Sequence, residues 1–354
     1  MIIEKEVVCL TRILVIGAGL SGCTAAEKLA RCGAEVTLVE KAPVIGGRVR
    51  SYGCKATDAC QDCGVCLSGG LWDKVSRQAN IRVITGAVVK DITGVPGDFS
   101  AVIADAQGTR YLSGFDAIVL STGFESERQA SGLSSHLQIE GTQGLLTGTQ
   151  LEELMLGRTR AGVFESAPGS VAFIQCVGSR DQKEGGLYCS RVCCAYSTRM
   201  AKVLRSDYPD CKITFFYMEL QSVKTGDYFA GLQEQGMEFI KCRPLKISGG
   251  KPVTVEYDDP AGGLARKEFD LVVLSDGIHA GADNSWMAEV YGVDQDQHGF
   301  LQAVGAESGI YVAGCARTPL KIGEAYADSV AVAGAILAKA AERFKTTPAG
   351  KRRE

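Results

Sequence analysis

The apolar positions of this chain fall into short continuous runs: 12-RILVI-16, 35-EVTLV-39 and 171-VAFIQ-175. Runs of this length, bounded by glycine or polar turns, predict strands buried on both faces of a parallel sheet. A strand–turn–helix–strand unit spans 12–40, and a second spans 171–218, with 212-KITFFYM-218 as its returning strand. Further on, 80-NIRVITGAVVKDITG-94 has a counterpart in 236-GMEFIKCRPLKISGG-250, and 114-GFDAIVLSTGFES-126 in 268-EFDLVVLSDGIHA-280. This is an internal duplication at a separation of about 155 residues, too long for a solenoid and right for two nucleotide-binding-type domains. The tail, 309–340, again reads strand, turn, helix, and is expected to return to complete the first domain. The expected architecture is α/β, with two Rossmann-like domains and the second inserted in the first. The expected boundaries are 1–168, an insert at 169–278, and 279–354 as the second part of the first domain with a C-terminal helix.

The first unit carries Gly17-x-Gly19-x-x-Gly22 between strand and helix, and Glu40 at the end of the next strand. In a dinucleotide site the first glycine allows the tight turn, the second lets the backbone approach the pyrophosphate, and the third lets helix and strand pack closely. Glu40 is then placed to accept from ribose hydroxyls. With 46-GGR-48, the Ser121-Thr122-Gly123 triplet and 311-YVAGC-315, the plan resembles the two-dinucleotide-binding-domain flavoproteins of the thioredoxin reductase and glutathione reductase type. The resemblance implies FAD held by the first Rossmann unit and the C-terminal segment, at Gly17, Gly19, Gly22, Glu40, Gly47, Arg48, Thr122, Gly123 and Gly314. Cys315 stands where that family places an aspartate, and Asp328 is the acid expected to replace it.

Composition narrows the function classes. Hydrophobic content of 45% and charged content of 22% over 354 residues are ordinary for a globular chain, and the net charge of −3 gives no sign of a nucleic-acid partner. The N-terminal MIIEKEVVCLTR has no apolar segment before a cleavage site, so no secretory signal is expected. The longest apolar stretch, SVAVAGAILAKAA, falls short of the ~20 residues of a membrane span, so no membrane insertion and a cytoplasmic location are expected. Fourteen cysteines need another explanation than a disulfide scaffold. Cys9, Cys23, Cys32, Cys211 and Cys242 stand alone in apolar patterns and read as small buried hydrophobes. His136, His279 and His298 show no ligand spacing and are expected on the surface.

The second unit keeps its strands and loses its glycine loop. After 173-FIQ-175 comes Cys176, then a polar loop, then Cys189, Cys193 and Cys194, so the usual NAD(P)H cradle is not expected there. Four cysteines spaced C-x12-C-x3-C-C are the right number for a [4Fe–4S] cluster. Cys189 and Cys193 at i,i+4 would share a helix face. Zinc is the rival, since it too takes four thiolates, though adjacent cysteines suit a small tetrahedral site poorly.

The stretch 174-IQCVGSRDQKEGGLYCSRVCCAYS-197 resembles the signature region of the A-type subunit of heterodisulfide reductase, as do 62-DCGVC-66 and 308–335. The resemblance implies FAD, and a [4Fe–4S] cluster bound by Cys176, Cys189, Cys193 and Cys194. It also implies an electron-transfer role beside B- and C-type subunits in sulfur metabolism. A homodimer is expected from the thioredoxin reductase-like fold. No C-x2-C-x2-C-x3-C-P run is present, so the chain looks like the shortened, core-only forms of sulfur oxidisers, and electron bifurcation is not implied. In that family a lysine after the Cys-Cys pair approaches the flavin. Arg199 and Lys202 are the candidates here, with Lys202 preferred. The set Cys54, Cys60, Cys63 and Cys66 reads as a second cluster, a redox-active pair beside the flavin or unligated thiols, with no second cluster favoured. An NAD(P)H-dependent disulfide reductase using Cys63/Cys66 is the alternative activity.

Overall fold

A computed structural model describes residues 11–126, 137–159, 162–181, 186–221, 228–302 and 307–346. Cys9 and His136 lie outside them. The chain begins with β1 (Arg12–Ile16), α1 (Leu20–Arg31), β2 (Glu35–Glu40), α2 (Leu71–Arg77) and β3 (Ile81–Thr85). An antiparallel layer, β4 (Val88–Val95), β5 (Asp98–Asp105) and β6 (Gly108–Phe115), leads to β7 (Ala117–Leu120). Next come β8 (Gln138–Glu140), β9 (Leu145–Thr147), α3 (Gly148–Leu156), β10 (Ser170–Val177), α4 (Cys193–Asp207) and β11 (Lys212–Phe216). α5 (Tyr228–Glu234), β12 (Glu238–Ile240), β13 (Lys246–Ser248), β14 (Val253–Asp258), β15 (Leu264–Phe269) and β16 (Leu271–Asp276) follow. The chain closes with α6 (Asn284–Tyr291), β17 (Ile310–Val312) and α7 (Ile322–Thr346).

Two parallel sheets carry the duplication. Their orders, β17-β7-β1-β2-β3 and β9-β16-β10-β11-β12, correspond strand for strand, and each unit adds a smaller sheet, antiparallel β4-β5-β6 in the first and mixed β15-β14-β13-β8 in the second. The apolar runs become the sheet centres: residues 13–16 and 117–120 are buried throughout, as are 171–177. β17 does return to the first sheet, pairing Ile310–Val312 with β7 in parallel. One expected boundary is corrected. β8 pairs with β13 and β9 with β16, so the chain has crossed into the second unit before Gln138, well ahead of residue 168. Strands of three residues are too short to stand out as apolar runs; their parallel partners define them.

Among the isolated cysteines, Cys23 and Cys211 are buried as expected, Cys242 is half-buried and Cys32 is exposed. His279 is buried rather than on the surface, bridging to Glu125, and the His298 ring lies 4.6 Å from that of Tyr188. No helix among the described residues is long and apolar enough to cross a membrane.

Candidate functional site

The β1–α1 turn is built for backbone approach. Gly17 has φ of +95°, and a Cβ on Gly22 would lie 1.9 Å from the Gly17 carbonyl oxygen. Gly22→Ala must therefore move backbone, and a loss of about 1–3 kcal/mol is expected, read as a lower denaturant midpoint at unchanged m-value. Gly47, at φ +54°, comes so close to the turn that its Cβ would stand 2.8 Å from the Gly19 Cα. Gly19 caps α1 without a side-chain bond, and the first turn of α1 carries no acid, which leaves its N–H groups and dipole directed at an anion.

A cavity of about 880 Å³ opens from this turn and runs between the two sheets. Gly17, Gly19, Glu40, Gly47, Arg48, Thr122, Gly123 and Cys315 line it, eight of the eleven residues expected to hold the cofactor. Gly22 and Gly314 support the wall from behind, and the Asp328 carboxylate accepts from the Gly314 N–H at 2.7 Å and pairs with Arg317. Asp328 thus shapes the 314–316 turn without facing the cavity. Glu40 reaches the wall with both carboxylate oxygens engaged, by the Ala18 N–H at 2.6 Å and the Ala42 N–H at 2.8 Å. The buried Thr122 hydroxyl has no partner among the described residues. Ligand pockets run from about 300 to 1,000 Å³. An FAD-sized group suits this volume, and the glycine cradle and orphaned Thr122 hydroxyl fit it too.

The far end of the cavity is formed by the second sheet. Asp276, at the end of β16, accepts from the Thr149 hydroxyl at 2.9 Å, and its carbonyl accepts from the Tyr196 hydroxyl at 2.8 Å. Burial pushes its carboxyl up to about 6 despite those hydrogen bonds. Its carbonyl meets Cys193, the first residue of α4. Cys193 Sγ donates to the Asp276 carbonyl at 3.7 Å and Cys194 Sγ to the Glu219 carbonyl at 3.9 Å. Cys176, Cys193 and Cys194 are buried and Cys189 is half-buried. Burial pushes the Cys193 thiol well above its usual range, with the Cys176, Cys194 and Cys189 sulfurs adding to it. Cys176 is pushed up to about 11, again by burial first and then by Cys194 and Cys189.

Two details differ from expectation. α4 begins at Cys193, so Cys189 sits in the loop before the helix and shares no helix face with it. Among the described residues no group of three or more His, Cys, Asp or Glu side chains stands ready to hold a metal ion. Cys193 and Cys194 donate to carbonyls and Cys189 accepts from the Arg191 N–H at 3.3 Å, and ligation would require each thiol to give up its proton. Around these thiols the Arg243 guanidinium lies 3.4 Å from the Cys176 carbonyl, and the backbone takes left-handed φ at Cys176 (+60°), Arg180 (+55°) and Arg191 (+62°). Strain of this kind persists only where the surroundings impose it.

The loop carrying these residues also closes the crevice at the strand ends of β10 and β16. Ser190 Oγ accepts from the Ile278 N–H at 2.9 Å, and the Tyr188 hydroxyl donates to the Ile278 carbonyl at 2.8 Å. A Cβ on Gly277 would meet Ser179 Oγ at 2.2 Å and Ser190 Oγ at 2.3 Å. A dinucleotide in a doubly wound sheet lies in that crevice, and here Ser179, Tyr188 and Ser190 stand against Gly277 and Ile278 at its edge.

Sequence reasoning preferred Lys202 at the cofactor. The structure puts Arg199 in the cavity wall instead, and Lys202 is not part of it. Arg199 also donates to the Gln61 carbonyl at 2.7 Å and the Asp62 carbonyl at 3.0 Å, clamping the loop of the second cysteine set. In that set Cys63 lines the cavity, and Cys54, Cys60 and Cys66 are exposed. Lys55, Glu152 and Asp276, also in the wall, went unnoticed in the sequence, where nothing distinguishes them from surface charges.

Residues 15–65 match the family described as NAD(P)-binding Rossmann-like domain. Across 95% of its length this chain is 28% identical to the second A-type iron-sulfur subunit of the CoB–CoM heterodisulfide reductase of Methanopyrus kandleri, covering 66% of that protein. It is 26% identical to the A-type subunit of the H2:CoB-CoM heterodisulfide,ferredoxin reductase of Methanothermobacter marburgensis, over 93% of this chain and 63% of that one. The chain is similar to the A-type subunits of heterodisulfide reductases. It spans about two thirds of the length of these curated relatives. The fold is that of thioredoxin reductase: the T. acidophilum enzyme covers 93% of this chain and 98% of its own at a TM-score of 0.62 and 18% identity. The NAD-dependent persulfide reductase of A. fulgidus has the same architecture, with a TM-score of 0.59, 18% identity, and coverage of 91% of this chain and 58% of its own.

Proposed function

We propose that this chain is an FAD-dependent electron-transfer oxidoreductase whose Cys176, Cys189, Cys193 and Cys194 hold a [4Fe–4S] cluster. We further propose that it serves as the A-type subunit of a heterodisulfide reductase-like complex in sulfur metabolism. The observation that carries this reading is one shared wall. Asp276 faces the glycine-cradled cavity with its side chain and caps the Cys193 thiol with its carbonyl.

Bound in the cavity, FAD would supply redox chemistry that takes electrons in pairs and releases them singly. The chain's residues do the rest. Gly17, Gly19 and Gly47 admit a pyrophosphate to the α1 N-terminus, and Arg48 braces the Phe124–Ser126 segment by donating to the Phe124 carbonyl at 3.0 Å and to Ser126 Oγ at 2.9 Å. Tyr196 and Thr149 hold the Asp276 carboxyl in the wall, where burial raises its proton affinity to a value of about 6. Arg199 supplies a fixed positive charge in place of the lysine implied by the resemblance.

The names of the relatives describe subunits, which supports B- and C-type partners, and the loss of the glycine loop after β10, with Ser179 and Ser190 crowding Gly277, supports electrons arriving from a protein rather than from NAD(P)H. A second reading, disulfide reduction by Cys63 with Cys66, is favoured by the place of Cys63 in the cavity wall.

Anaerobic purification with iron, sulfide, zinc and flavin analysis tests the assignment. About four irons, four sulfides and one FAD per chain are expected, with a paramagnetic signal after dithionite reduction. Flavin without iron, bleached by NAD(P)H, would establish the dithiol reductase. Zinc without flavin would refute both.

A further inference from the structure

Lys55 is 1% exposed and ranks with phenylalanines, leucines and isoleucines among the largest fully buried side chains. An ammonium is not taken out of water without compensation. Its partners are the Glu152 carboxylate, with which it forms a buried ion pair, the Gly53 carbonyl at 2.9 Å, and the Tyr52 ring, 5.7 Å away at its centroid. The two members of the pair come from different units: Lys55 from the loop after Gly47–Ser51, and Glu152 from α3 beside the second sheet. Both line the cavity.

Burial drives the Glu152 carboxyl above its usual range, and the Lys55 ammonium is the largest influence holding it down. The other charged or titratable groups that face Glu152 are Asp276 at the end of β16, Arg199 on α4 and Tyr52. Arg199 supports ionisation of Glu152 and Asp276 opposes it. Without Lys55, burial and Asp276 would both favour a neutral acid in the wall.

We propose that Lys55 is a positioning residue for the redox cofactor. Its ammonium holds Glu152 as a carboxylate at one place in the cavity wall, and this compensated pair sets the reduction potential of the bound flavin. The inference rests on the FAD reading above. The physical basis is that reduction adds negative charge or a proton to the flavin, so an unbalanced charge or a titrating acid in the same low-dielectric wall shifts the equilibrium. The pair acts through the wall. No bond between Lys55 and the cofactor is required.

The test is a spectroscopic redox titration of the FAD-loaded chain between pH 6 and 9, on wild type, Lys55→Met, Lys55→Arg, Glu152→Gln and Lys55→Met/Glu152→Gln. In Lys55→Met the potential should shift negative where Glu152 is ionised, and its pH profile should acquire a step absent from wild type. Lys55→Arg should restore the wild-type profile. Glu152→Gln, which leaves an unbalanced cation, should shift the potential positive, and the double variant should return it toward wild type without a step. If Lys55→Met does not fold, Glu152→Gln and the double variant decide. Wild-type potentials and slopes in both would overturn the proposal and leave Lys55 a structural residue. A wild-type chain that binds no flavin would overturn the FAD reading and this inference together, whereas bound flavin with unshifted potentials would overturn this inference alone.

Discussion

Lys55→Met is expected to lower the free energy of unfolding by about 3–5 kcal/mol, because it leaves the Glu152 carboxylate buried without its partner. Glu152 is 7% exposed. Replacing both residues, as Lys55→Met/Glu152→Met, removes the stranded charge and should recover most of the loss, since apolar side chains of similar volume often substitute for a buried pair at little cost. A double-mutant cycle by denaturant unfolding reads the coupling directly. The exposed pair Lys339–Glu342 provides the contrast, with an expected contribution of about 0–1 kcal/mol. A loss at Lys55 no larger than that of the exposed pair would mean that water reaches Glu152.

The second large effect concerns iron. Cys193→Ala is expected to abolish iron and sulfide in the purified chain while leaving FAD bound, because Cys193 belongs to α4 of the second unit and the glycine cradle to β1 and α1 of the first. Ligand binding to the folded state adds to stability, so a chain that loses a cluster should also melt earlier than wild type under anaerobic conditions. Cys211→Ala is the control. That thiol is equally buried, but it packs in the apolar core under α4 and should leave iron untouched. If Cys193→Ala retains a full complement of iron, the ligand set must lie elsewhere, with Cys54 to Cys66 the first place to look. Loss of both iron and FAD would mean instead that the shared wall at Asp276 collapses with the thiol.

The apolar runs at residues 13–16, 36–39 and 171–175 gave the buried parallel strands directly, since a strand covered on both faces has no polar positions to interrupt it. The duplication was legible for the same reason, because the two halves repeat those runs in one order and the two sheets then repeat it in space. The crossing at β8 and β9 was missed: three residues carry no periodicity, and only pairing with β13 and β16 reveals them. The resemblance offered Arg199 and Lys202 after the Cys-Cys pair, with Lys202 preferred. Of the two, Arg199 lines the cavity and Lys202 does not.

By itself, then, the sequence determined the fold class and the glycine cradle. Each of these is written in neighbouring residues whose spacing has one physical meaning. The tertiary structure alone decided which charges face the cavity. Lys55, Glu152 and Asp276 lie far apart along the chain, and each reads locally as an ordinary solvated charge. They become a buried wall only when the loop after Gly47, α3 and the end of β16 converge between the sheets, where desolvation changes what a charge costs.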